Sequence, residues 1–239
     1  MIDVHLMKLR ARDEISAEEE AVVRDSVREI ITVRPRATVV RAHQAIDFST
    51  ILLSGLSCRR SDMEDGRRQI TELHVAGDYI DLHSFTLKYL DHDVVALTQC
   101  KFAIVPHEKL KTMTERLPHL TRVYWFATNL DAAIHRQWEL SLARRDAAAR
   151  MAHLFCELYV RLKIVGLTDG MSYELPLTQE TLADVLGLTA VHINRTLQQL
   201  RSDGDIQLER GRLTINDWDA LAKRAEFDPA YLYLAKQAR

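Results

Sequence analysis

Nothing in this chain points to disulfide or metal–thiolate chemistry. Its three cysteines, Cys58, Cys100 and Cys156, lie too far apart to form a C-x-x-C pair, so neither a zinc knuckle nor a redox dithiol is expected. They read as small buried apolar groups in a reducing compartment. Long hydrophobic runs are also missing, and the longest falls far short of the roughly 18 residues that a membrane span needs. The start, Met1-Ile2-Asp3-Val4-His5, has no basic lead into an apolar stretch, so no secretory signal is read and a cytoplasmic protein without membrane contact is expected. Neither sign of charge is in excess: 32 Lys and Arg against 34 Asp and Glu leave a net charge of −2. That argues against a non-specific nucleic-acid coat, but not against a binder whose basic groups cluster on one face. Enzyme signatures are absent as well. There is no phosphate loop, nucleophile elbow or paired metal-ligand motif, and the ten histidines are scattered without motif spacing, so no catalysis is expected.

What remains is an ordinary globular composition, 47% hydrophobic and 28% charged over 239 residues, enough for one large domain or two modest ones. The first 30 residues look helical, with Ser16-Ala17-Glu18-Glu19 as a capping box before Ala21, Val22 and Val23. From Ile30 to Pro106 short runs of β-formers are broken by turn residues: Thr38–Val40, Ile51–Leu53, Leu56–Cys58, Arg67–Leu73, Val94–Thr98 and Cys100–Val105, with Asp65-Gly66 as a hairpin turn. This pattern predicts an antiparallel sandwich or barrel. From His107 to about Leu142 the pattern is helical, and Leu117, Leu120, Tyr124, Ala127, Ile134 and Trp138 form a heptad-like seam interrupted by Asp131. A helix of about 25 residues, roughly 37 Å long, is much for a small sandwich to cover, so dimerisation through this seam is expected. Arg144-Arg145-Asp146 reads as a hinge, with Asp146 capping a helix from Ala147 to about Val165.

Function is most legible further on. Thr178 is placed to cap a short helix ending at Gly187, and Thr189 caps the next, which buries Ile193, Leu197 and Leu200. Counting Gln179 as 1, Ala183, Gly187 and Ile193 fall at offsets 5, 9 and 15, the pattern of a helix-turn-helix whose second helix enters the major groove. Ile206-Gln207-Leu208 and Leu213-Thr214-Ile215, joined by Glu209-Arg210-Gly211-Arg212, read as a β-hairpin wing. The expected DNA-binding set is Val191, Asn194, Arg195 and Gln198 toward bases, Thr178, Thr189 and Arg201 toward phosphates, and His192 toward either.

In this order the motifs resemble the Crp/Fnr family of regulators over about residues 20–220. The resemblance rests on Leu53-Ser54-Gly55-Leu56, Asp65-Gly66-Arg67-Arg68-Gln69-Ile70, Gly77-Asp78-Tyr79-Ile80, Ala96–Cys100, Asp146–Arg150, the helix-turn-helix and the wing. It implies an α+β chain: an antiparallel β-roll (jelly roll) sensor at 1–116, a long dimerisation helix and hinge at 117–145, and a winged helix-turn-helix at 146–239. It further implies double-stranded DNA, a second copy of the chain, RNA polymerase and a small-molecule effector as candidate partners, and a palindromic operator.

The chain also departs from the family. Cyclic-nucleotide binders place a ribose-holding Glu after Gly-Asp-Phe-Ile and a phosphate-binding Arg further on. Here Asp81-Leu82-His83 and Leu90-Asp91 stand in those places. Leucine cannot bind phosphate and Asp91 would repel it, so cyclic AMP is not expected as effector. His83, Lys88 or His92 remain as alternative anion contacts, and His135 and Arg136 occupy the helix turn that faces ligand in nucleotide binders. No cofactor is expected. Iron–sulfur members use N-terminal cysteines, and none precedes Cys58; haem members use an axial His, for which His74 and His83 are the counterparts. In the recognition helix the family's Glu is replaced by Val191, while Arg195 is kept, so a guanine contact within a different half-site is expected. The alternative function is a ligand-binding interaction module whose helix-turn-helix meets protein.

Overall fold

The computed structural model describes residues 2–238. Two helices open the chain, α1 (Asp3–Arg10) and α2 (Ala17–Asp25). Ser16 caps α2 as expected: its hydroxyl accepts from the Glu19 N–H at 3.2 Å and the Glu19 carboxylate accepts from the Ser16 N–H at 2.9 Å.

Seven strands follow: β1 (Glu29–Val33), β2 (Thr38–Val40), β3 (Phe48–Ser54), β4 (Ser57–Asp62), β5 (Arg68–His74), β6 (Asp93–Ala96) and β7 (Cys100–Pro106), with a short helix α3 (Ser84–Leu87) between β5 and β6. They form two antiparallel sheets, β1-β7-β3 and β2-β6-β4-β5. Leu52, Ile80, Leu90, Val94 and Phe102 meet between them as a buried cluster. The β3–β4 turn requires a glycine. Gly55 has φ +91°, and a Cβ there would come within 2.5 Å of the Gln99 carbonyl.

After α4 (His107–Arg116) the chain breaks at Leu117 and restarts at Pro118 as α5 (Pro118–Arg144), proline taking the first helical turn. Asp146 then caps α6 (Ala147–Ile164), accepting from the Ala149 N–H at 2.8 Å. A second unit is built on α6: β8 (Thr168–Asp169), β9 (Ser172–Glu174), α7 (Gln179–Leu186), α8 (Ala190–Ser202), β10 (Ile206–Glu209), β11 (Arg212–Ile215), α9 (Trp218–Ala225) and a 3-10 turn, Pro229–Leu232. Its sheet runs β10-β11-β9-β8. One apolar cluster passes from Cys58, Ile70 and Leu73 of the roll, through Ile134 and Trp138 of α5, to Phe155 of α6 and Ile193 of α8.

The residues of the expected seam pack in two places within the chain. Leu120 and Tyr124 are buried beneath the roll with α1 and α4 residues, while Ile134 and Trp138 are buried toward α6. Leu117 and Ala127 are half-buried against the same roll-side cluster. These six residues pack within their own chain, because the stronger apolar stripe of α5 goes to the larger surface, the sheet and α6. The face left to solvent is a different one: Arg122, Trp125, Asn129, Ala132, Arg136, Leu140 and Ala143. They too fall at three- and four-residue steps.

Candidate nucleic-acid interface

The helix-turn-helix is α7 and α8. The Thr178 hydroxyl accepts from the Thr181 N–H at 3.1 Å and the Thr189 hydroxyl from the His192 N–H at 3.2 Å, so each helix starts where its Thr stands. Gly187 closes α7 with φ +62°, a left-handed turn that a β-carbon would strain. Ile193 and Leu200 are fully buried, with Ala183 and Leu197 nearly so. Burial of this kind stabilises by about 1.5–3 kcal/mol per large aliphatic side chain, and it fixes which way α8 faces.

That face is polar apart from Val191, which is 73% exposed. Val191, Asn194, Arg195, Gln198 and Arg201 follow one another at helical steps, all exposed, with His192 beside them. Among the described residues, Arg195 has no ion-pair partner. Asn194 donates to Gln179 Oε1 at 3.3 Å, which adds Gln179, at the start of α7, to the exposed polar surface. The wing is present with Ile206 paired to Ile215 and Glu209 to Arg212. Arg210 stands at its tip with φ +50°, while Arg212 is held by Asp169 at 2.7 Å and Glu174 at 3.2 Å. The sequence reading passed over Gln179 and Arg210. The hairpin spacing marked Arg210 as a tip residue, whereas nothing local marked Gln179.

The residues expected to line an effector pocket do not converge on one. Leu90 is fully buried in the roll core and Leu82 is buried. Asp81 accepts from the Thr50 N–H at 2.5 Å and the Thr50 hydroxyl at 2.6 Å, so it staples the roll from inside. Burial pushes its carboxyl up to about 7. Asp91 points to solvent and pairs with His92 at 2.7 Å, and Arg136 is exposed. Only His83 and His135 come near each other's neighbours, and they do so around residues that the sequence reading did not choose.

Those residues are Arg59, Glu72 and Asp131. Arg59 of β4 and Glu72 of β5 are cross-strand partners and form a buried ion pair at 2.5 Å. Arg59 also donates to the Ile80 carbonyl at 3.0 Å and to Asp131 of α5 at 3.0 Å, and its guanidinium lies 3.5 Å from His83 Nδ1. His135 meets Glu72 at 2.9 Å. Burial alone would raise the Glu72 carboxyl; the charges of Arg59 and the nearby histidines overcome that and hold it below the usual carboxylate range. His83 is driven down to about 3, by burial first and then by Arg59, which leaves it neutral. The Arg59 guanidinium is thus already matched to two carboxylates, while at the position of the family's phosphate-binding Arg stand a buried Leu90 and a solvent-facing Asp91. Between α1, Tyr79, Leu82 and α5 lies a cavity of about 30 Å³, room for a water. The three thiols are all buried, and burial pushes Cys58 and Cys156 up to about 12.

Comparison with known proteins gives the same two parts. Residues 30–116 match the cyclic nucleotide-binding domain and residues 149–224 the Crp-like helix-turn-helix domain. The chain is 29% identical over 216 residues to the transcriptional activator protein FnrL of Cereibacter sphaeroides, covering 88% of this chain and 86% of that one. It is 31% identical over 179 residues to a probable transcriptional activator of Rhizobium leguminosarum, covering 74% and 72%. Among solved structures, FixK2 from Bradyrhizobium japonicum superposes with a TM-score of 0.75 at 21% identity, over 82% of this chain and 96% of that one.

Proposed function

Because the chain belongs to the Crp/Fnr family of transcription regulators, we propose that it binds a palindromic operator as a homodimer and regulates transcription there. The observation that carries this reading is the face of α8, where Arg195, Asn194 and Gln198 are exposed above a buried Ile193. Arg195 is fit to donate two hydrogen bonds to guanine, Asn194 to pair with adenine, and Thr178, Thr189 and Arg201 to hold phosphates. His192 lies beside them and reaches either. Arg210 at the wing tip is an added phosphate contact.

The dimer uses the solvent face of α5. Trp125, 65% exposed, and Leu140 supply apolar area, Ala132 lets two helices approach, and Asn129 supplies a polar pair that fixes register. With α5 on the two-fold axis, the two α8 helices address half-sites about one DNA turn apart. The relatives are named activators, so contact with RNA polymerase is the mode we carry over. Cyclic AMP is not the effector in this reading, since a buried Leu90 and an acidic Asp91 stand where the family's phosphate-binding Arg would.

Selection of duplexes from a random pool by the full chain, without nucleotide, tests this reading. The expected result is enrichment of an inverted repeat with a guanine in each half. Failure to enrich any sequence would favour the interaction-module alternative.

A further inference from the structure

Arg161 sits on α6, away from the exposed face of α8, and is 5% exposed. Its Nη2 donates to the Leu73 carbonyl at 2.8 Å and to Asp78 at 2.8 Å, both in the roll. Its Nη1 donates to Glu157 at 3.1 Å, one turn back on α6. Glu157, fully buried, accepts from the indole N–H of Trp138 on α5, at 3.2 Å to each oxygen, and from the Tyr231 hydroxyl in the 3-10 turn at 2.7 Å. Asp78 accepts from the Val75 N–H at 3.0 Å and also pairs with Lys8 of α1. A single buried chain of charges therefore joins α1, the roll, α5, the winged helix and the C-terminal turn.

We propose that Arg161 is a positioning residue for operator recognition: it fixes the winged helix relative to α5, and so sets the separation of the two recognition helices in the dimer. The inference rests on the dimeric-regulator reading. Stability alone does not account for the arrangement, because desolvation offsets the attraction in a buried ion pair and a well-packed apolar side chain serves as well. What a guanidinium adds is direction. Its planar fork meets a carbonyl and two carboxylates in one orientation, whereas apolar burial is non-directional. Direction matters here because one base pair of added spacing turns a half-site by about 35° around the DNA axis, given roughly 10–10.5 base pairs per turn. A winged helix free to tilt would follow that change; a clamped one would not.

The test uses the full chain with Arg161→Met and Asp78→Asn. Affinities are measured on the selected operator, on the same site with one central base pair added or removed, and on a single half-site. The expected result is that the preference for the correct spacing falls about tenfold, within the range seen for residues that couple two sites without touching either ligand, while half-site affinity changes by no more than about twofold. Asp78→Asn keeps the side-chain size and carries the same readout if Arg161→Met melts too low to assay. An unchanged spacing preference, or a parallel loss on all three duplexes, overturns the proposal. A wild-type chain that shows no spacing optimum overturns the dimeric reading beneath it.

Discussion

On α8 the Arg195 guanidinium has no ion-pair partner among the described residues, because the positions around it are Val191, Asn194 and Gln198 rather than acids. It is therefore free to meet a base without first breaking a contact. Arg195→Ala should cost about 1–3 kcal/mol of operator affinity and relax preference at one base pair per half-site. Equal loss on every sequence, measured by fluorescence anisotropy, would make Arg195 a phosphate contact instead. Inside the roll Asp81 shows the opposite situation, a carboxyl raised by burial to about 7 although Thr50 donates to both of its oxygens. A group with a raised folded-state value holds its proton more tightly when folded. Its contribution to stability is complete below about pH 4 and is lost as pH rises through about 7. Asparagine cannot ionise, so Asp81→Asn should gain on the wild type in melting temperature between about pH 5 and about pH 8. Parallel curves across that range would contradict the assignment.

At the scale of elements, α5 carries two stripes with nearly the same period. The more apolar one carries the expected dimer seam, and within the chain its residues pack on the roll and α6. Periodicity alone does not distinguish a helix packed on its own sheet from one packed on a partner. The consequence is testable. Trp125→Glu combined with Ala132→Asp should give folded monomers in sedimentation, with an unchanged circular dichroism spectrum. Ile134→Glu, at a residue of the expected seam, places a carboxylate in the core and should instead unfold the chain, at a cost of several kcal/mol. A folded monomer from Ile134→Glu would restore the original seam. The helix-turn-helix was legible for the opposite reason. Its signals, the Thr178 and Thr189 caps, Gly187 and the buried Ile193, act within a few residues. The roll's charges were not legible, because Arg59 and Glu72 become neighbours only through the β4–β5 register. Asp131, seen in the sequence as a break in an apolar series, turns out to be the α5 residue that answers Arg59.

The whole molecule shares its core between the roll, α5 and the winged helix. Both buried charge clusters, one centred on Arg59 and the other on Arg161, span boundaries between those parts. With Leu90 and Asp91 in place of a phosphate-binding Arg, isothermal titration of cyclic AMP should give no binding heat, and operator affinity should be the same with and without it. Saturable heat with a matching gain in affinity would contradict the reading of Leu90 and Asp91. The central claim concerns the DNA surface itself, and hydroxyl-radical footprinting of the full chain on its selected operator tests it most directly. Two protected blocks on one face of the duplex, separated by about one helical turn and weakened together by Arg195→Ala, are the predicted result. Protection of a single block, or faint protection spread evenly along the duplex, would contradict it.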